Sequence, residues 1–162
     1  MKEIKLTHGQ VALVDDEDFE YLNQWKWCAH ETKYGSYAKR TTGKNPTKSF
    51  RMHRVILGAK KGELVDHRNH KTLDNRRENI RICTKSQNCQ NQRNRKNTSS
   101  HYKGVGYKKK DRKWSSGIKL DGIFTSLGYY DTELEAAIIY NITCRRYFGE
   151  FALPNILTKI SY

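Results

Sequence analysis

The sequence predicts an α+β protein of two small modules: a strand, loop, strand and helix in the first half, and an antiparallel hairpin packed on one helix in the second. Three observations carry this. The chain has 162 residues, room for one ordinary domain or two compact ones. The apolar runs Leu64 to His67 and Ile80 to Thr84 are separated by a polar loop reaching Asn79. Asp121-Gly122, a dipeptide suited to a tight hairpin turn, joins two strand-like runs ahead of a capped helix. Four segments follow: residues 1–48 as a mainly β segment, 49–93 as the first module, 94–100 as a basic linker and 101–156 as the second module.

Taken in order, Ile4 to Val14 alternates enough to read as strand, and the acidic run Asp15 to Glu20 opens a short helix. Trp25 to Ala29 is an aromatic-rich strand with Tyr34 to Arg40 as its hairpin partner, and Trp25 and Trp27 are assigned to packing. Thr41 to Lys48 carries Gly43, Asn45 and Pro46, hence a loop. From Ser49 a short strand runs into a helical turn that stops at Gly58, and Lys85 to Arg93 reads as a helix capped by Thr84. Beyond the linker, Trp114 to Leu120 and Ile123 to Tyr129 form the hairpin. Thr132 and Glu135 make a capping box, Gly149 ends the helix, and Ala137, Tyr140, Cys144 and Phe148 form its apolar stripe.

Composition narrows the function. A formal charge of +14, with 30% charged against 36% hydrophobic residues, strains a compact fold by self-repulsion and points to a polyanionic partner. The basic residues are interleaved with Asn, Gln and aromatics, and no apolar run is long enough to span a bilayer, so nucleic acid is favoured over a membrane. Cys28, Cys83, Cys89 and Cys144 contain no C-x-x-C pair. No structural zinc is therefore expected, and the thiols suit a reducing cytosol.

Val65-Asp66-His67, Leu73 to Arg81, and then Asn88 and Asn91, preceded by Met52 to Leu57, resemble the H-N-H nucleases in their homing-endonuclease branch, over roughly Phe50 to Gln92. The resemblance implies a ββα-metal fold and cleavage of double-stranded DNA with Mg²⁺ or Mn²⁺. It implies metal ligands at Asp66 and Asn88, with Asn91 as an alternative to Asn88, and Asn79 holding the base in place. The residue chemistry agrees: phosphodiester hydrolysis needs an activated water and charge neutralisation, oxygen ligands suit a hard cation, and His67 titrates near neutrality as a general base. His53 is assigned to packing or to the loop, and His70 to the exposed polar stretch. Arg76, Arg77 and Arg81 are candidates for the DNA backbone.

Tyr102 to Tyr107, Lys113-Trp114, Leu127-Gly128, Thr132 to Tyr140 and Gly149 resemble the ethylene-response-factor (APETALA-type) DNA-binding domain, over about Ser100 to Asn155. That implies a three-stranded antiparallel sheet on one helix, entering the major groove. The family's groove-facing arginines and tryptophan are largely replaced, with Gly106, Tyr107, Lys108, Gly117, Lys119 and Ser126 near their places. Lys103, Tyr107, Lys108, Lys109, Lys110, Arg112, Lys113 and Lys119 therefore form a candidate DNA surface suited to phosphates more than bases. The resulting expectation is a cytosolic, phage- or mobile-element-type homing endonuclease, with a monomer favoured. The rivals are a DNA-binding protein with a vestigial nuclease centre, and a binder of structured RNA.

Overall fold

The computed structural model describes residues 1–43, 48–94 and 97–157. Asn45 and Pro46 of the expected loop, and Arg95 and Lys96 of the expected linker, lie outside the described residues. The chain is a mixed α and β protein forming two compact units, Met1–Thr84 and Lys85–Tyr162.

The first unit opens with strands β1 (Lys2–Lys5) and β2 (Val11–Val14), an antiparallel pair joined through a single 3-10 turn. Helix α1 (Asp16–Asn23) carries Asp16, Glu17 and Asp18 in its first turn, where negative charge complements the helix dipole. Strands β3 (Cys28–Thr32), β4 (Gly35–Thr42) and β5 (Lys48–Arg51) form an antiparallel sheet in that order. β5 passes directly into the short helix α2 (Met52–Ile56). Strands β6 (Leu64–His67) and β7 (Ile80–Cys83) pair antiparallel, with Asp66 opposite Arg81 and His67 opposite Ile80.

One apolar cluster binds these pieces: Ile4, Leu6, Ala12, Val14, Leu22, Trp27, Ala38, Met52, Ile56 and Ile80 are buried together. Residues 1–48 thus share a core with the strand pair that follows. Trp27 is fully buried and its indole N–H donates to the Leu22 carbonyl at 2.8 Å, satisfying its polar atom. The loop between β6 and β7 is pinned to β2, because Leu13 N donates to Leu73 O at 2.9 Å and Asn75 N to Leu13 O at 2.8 Å.

The second unit begins with α3 (Lys85–Gln90), followed by β8 (Val105–Lys108), β9 (Lys113–Leu120) and β10 (Ile123–Tyr130), a three-stranded antiparallel sheet with β9 central. Asp121 and Gly122 both take positive φ, 46° and 85°, the backbone of a tight two-residue hairpin turn. Helix α4 (Glu133–Phe148) has the full capping box of Thr132 and Glu135 and ends at Gly149. Its buried stripe of Ala137, Tyr140, Cys144 and Phe148 packs with Val105 and Ile118 on the sheet. Gly104 lies so close beneath α4 that a Cβ there would meet the Tyr140 ring at 2.1 Å. Asn94 of the basic stretch is tied down, its amide donating to the Ser100 and Tyr102 carbonyls at 3.1 and 3.2 Å.

Candidate active site

The chemistry of the first unit gathers where β6 meets its loop. The strand alternates, so Asp66 and His67 address opposite sides. His67 shares its side with Ile80 and faces His53 and Tyr37, with ring centroids 5.0 and 6.0 Å away. Tyr37 also lies 5.6 Å from His53, so three rings of β4, α2 and β6 meet edge to face.

Asn75 determines which nitrogen of His67 carries the proton. Its amide nitrogen faces Leu73 O at 3.3 Å and the Met52 sulfur at 3.5 Å, leaving Oδ1 towards His67 Nε2 at 3.2 Å. An oxygen accepts only, so Nε2–H donates and Nδ1 carries the lone pair. Burial lowers the His67 pKa, against the opposing influence of the Asn75 bond and the Asp66 carboxylate. His53 is pushed down to about 3 by burial, with His67 and Arg51 adding to the effect. Both imidazoles are therefore neutral near pH 7. His53 Nδ1 is buried without a hydrogen-bond partner among the described residues.

Asn79 spans the loop: its amide nitrogen donates to Asp74 O at 2.7 Å and its oxygen accepts from Asn69 N at 3.0 Å. Asp74 is buried, accepts from Asn69 at 2.8 Å, and forms a bidentate pair with Arg76 at 2.8 Å on each arm. The Arg76 bond is the main influence holding the Asp74 carboxyl below its usual range. Arg77 grips α1, its guanidinium on Asp18 at 2.7 and 2.9 Å and its backbone N–H on Asp15 at 2.7 Å.

Asp66 and Arg81 form a buried cross-strand ion pair, both about 7% exposed, with Arg81 Nε and Nη2 on Asp66 Oδ2 at 3.1 and 2.8 Å. Asn88 is half-buried on α3 and Asn91 is buried just beyond it, both in the second unit. Among the described residues no three His, Cys, Asp or Glu side chains converge on a point that could hold a metal ion. Asn75 and Tyr37 were not singled out from the sequence. Asn75 adjoins Asp74 in the polar loop, and only folding turns its oxygen onto His67.

In the second unit the pairing register separates two sheet faces. Ser116 and Ile118 face α4, while Lys108, Lys113, Lys119, Phe124 and Tyr129 share the opposite face. Lys108, Lys109, Lys110, Arg112 and Lys119 are exposed, and Tyr107 rests against Trp114 with ring centroids 5.0 Å apart. Lys113 pairs with Asp131. Lys103 differs: half-buried, its amine donates to the Gln90 carbonyl, and burial pushes its pKa down to about 8. Phe124 and Tyr129, 72% and 58% exposed, add aromatic surface that a strand-forming run does not reveal in sequence.

No helix among the described residues is long and apolar enough to cross a membrane. No solved structure matches the chain. The family model for HNH endonucleases matches residues 51–90, which contain Asp66, His67, Asn79 and Asn88. The chain is also similar to an uncharacterized HNH endonuclease of Acanthamoeba polyphaga mimivirus, 33% identical over 149 residues, spanning 91% of this chain and 75% of the relative. With that extent of similarity and the motif in place around a buried neutral histidine, the chain belongs to the HNH endonuclease family.

Proposed function

We propose that this protein is a metal-dependent endonuclease of homing type that hydrolyses phosphodiester bonds in double-stranded DNA, with His67 as general base. The orientation of His67 carries the reading: Asn75 accepts from Nε2 at 3.2 Å, which leaves the lone pair on Nδ1 of an imidazole kept neutral by burial. Such a nitrogen can take a proton from an attacking water. Asn79 acts as a positioning residue, since its amide fixes the loop that bears Asn75.

The donor set suits a hard divalent cation. The motif assigns a carboxylate oxygen from Asp66 and an amide oxygen from Asn88, ligands proper to Mg²⁺ or Mn²⁺ and unsuited to a soft metal. Such a cation, when bound, neutralises charge on the scissile phosphate and stabilises the leaving 3′ oxygen. Arg81 donates to Asp66 Oδ2 at 2.8 Å, so a cation at Asp66 shares that carboxylate with the guanidinium. Arg76 and Arg77 keep partly exposed guanidiniums beside the loop and are assigned to the DNA backbone in addition to their ion pairs.

The sheet of the second unit is assigned as a docking module of the ethylene-response-factor type. Its open face combines Lys108, Lys113 and Lys119 with exposed aromatic rings, and Lys109, Lys110 and Arg112 crowd the adjoining turn. Lysine presents a point charge, so this module positions the duplex through phosphates more than it reads bases.

The test is incubation of supercoiled plasmid with the full chain and Mg²⁺ or Mn²⁺, beside a chelator control. Nicked or linear product only with metal, and none from Asp66→Ala or Asn88→Ala, is the expected result. Undiminished cutting in excess chelator overturns the metal assignment. Tight binding without cutting in either metal favours a DNA-binding protein with a vestigial centre.

A further inference from the structure

We propose that Lys39 and Arg51 form a DNA-phosphate-binding pair beside His67, with Tyr37 positioning Arg51. Tyr37 and Lys39 lie on β4, outside the residues that match the nuclease family. The inference deepens the endonuclease reading and rests on it for the role of His67.

The register of β4 and β5 sets Lys39 directly opposite Arg51. Side chains directly opposite each other project from the same face, and two residues along β4 the same face is reached again at Tyr37. The Arg51 guanidinium sits 5.3 Å from the Tyr37 ring centroid, and that ring touches His53 and His67. A cation stacked on an aromatic face is held in place without being neutralised. Two like charges directly across a strand pair destabilise the sheet unless an anion lies between them.

No carboxylate does so. Among the described residues neither Lys39 nor Arg51 forms an ion pair, whereas Arg76, Arg77 and Arg81 all do. Glu31 is paired with Ser36, whose side chain projects from the face opposite Tyr37 and Lys39. Arg51 is exposed, and with Arg54, Ser49, Phe50 and Gly58 it lines an open cleft of about 490 Å³. Arg51, solvent-facing on the ring that touches the proposed base, and the half-buried Lys39 opposite it, left unneutralised at a cost to the sheet, fit a duplex phosphate as their missing counterion.

The experiment measures full-length protein binding to a duplex of random sequence over a salt series in chelator, so cleavage plays no part. Lys39→Ala and Arg51→Ala should each make the slope of log K against log salt shallower by about 0.9. Arg51→Lys should keep the wild-type slope. Tyr37→Phe should also keep it, while Tyr37→Leu should match Arg51→Ala. Lys39→Glu, which places a carboxylate opposite Arg51, should weaken binding and raise the thermal midpoint of the free protein. A purely structural pair predicts the opposite change in midpoint. Wild-type slopes for both alanine variants, or a lowered midpoint for Lys39→Glu, overturn the inference. Failure of the endonuclease reading is separate: it appears as wild-type protein that binds duplex but does not nick plasmid with Mg²⁺ or Mn²⁺.

Discussion

Cations around the nuclease motif and cations on the C-terminal hairpin look alike in the sequence and differ in the fold. Arg76, Arg77 and Arg81 each bind a carboxylate, and Arg81 does so while buried. Lys108, Lys109, Lys110, Arg112 and Lys119 are exposed, and no ion pair is formed by them among the described residues. The first group holds loop, helix and strand together around His67. The second keeps its charge available to a polyanion. Basic residues near a catalytic motif thus need not all be open to a substrate, and the part of the +14 net charge free to meet a polyanion lies chiefly on residues the fold leaves unneutralised.

The comparison can be broken by variants with graded effects. The largest concerns the chemistry of the first region: His67→Ala should slow plasmid nicking by about 10²- to 10⁴-fold, the usual span for a general base, with duplex affinity retained in a gel-shift assay. Full activity in that variant moves the base elsewhere.

Stability separates the regions next. Arg81→Met removes the cationic partner of the buried Asp66 carboxylate and should cost about 3 kcal/mol or more in urea unfolding. Lys109→Ala on the exposed turn should stay within about 0.5 kcal/mol of wild type. Equal losses erase the proposed distinction between structural and available cations.

Salt dependence then sharpens the role of the hairpin. Changing Lys108, Lys109 and Lys110 together to Ala should flatten the log K against log salt slope by up to about 2.7, at about 0.9 per phosphate contact, on cognate and scrambled duplexes alike. A loss confined to one sequence instead assigns these lysines to base reading.

The last way to test the comparison is a pH dependence. His53 titrates at about 3 in the folded protein and near 6.5 when unfolded, so the unfolded chain binds the extra proton between those values. Stability is complete above about pH 6.5 and is lost as pH falls towards 3, the direction that a depressed histidine pKa requires. His67 contributes with the same sign. Thermal melts of His53→Gln should show a weaker fall in midpoint over this window than wild type, and an unchanged fall assigns the dependence to other groups.

Local signals in the chain were enough for the capping box at Thr132 and Glu135, the positive-φ turn at Asp121-Gly122 and the stripe of α4, because each depends on neighbours within one or two turns. Asp66, His67, Asn79 and Asn88 were legible through resemblance to the H-N-H motif. Partners distant in sequence were not. Arg77 meets Asp18 across 59 positions, and nothing near Arg77 signals that its charge is already committed. Asn75 resembles any polar loop residue until Leu13 pins the loop and turns its oxygen onto His67. Tyr37 reads as one alternating strand residue until β4 sets it against His53 and His67. The sequence by itself determined the net charge, the C-terminal hairpin turn and the capped helix behind it, because charge, turn chemistry and capping are local properties, whereas the strand read at Trp25–Ala29 lies at Cys28–Thr32 and the run from Ile4 to Val14 divides into two strands. Only the tertiary structure decided which nitrogen of His67 bears the proton and which cations remain unpaired, because both depend on which distant atoms lie within hydrogen-bonding distance.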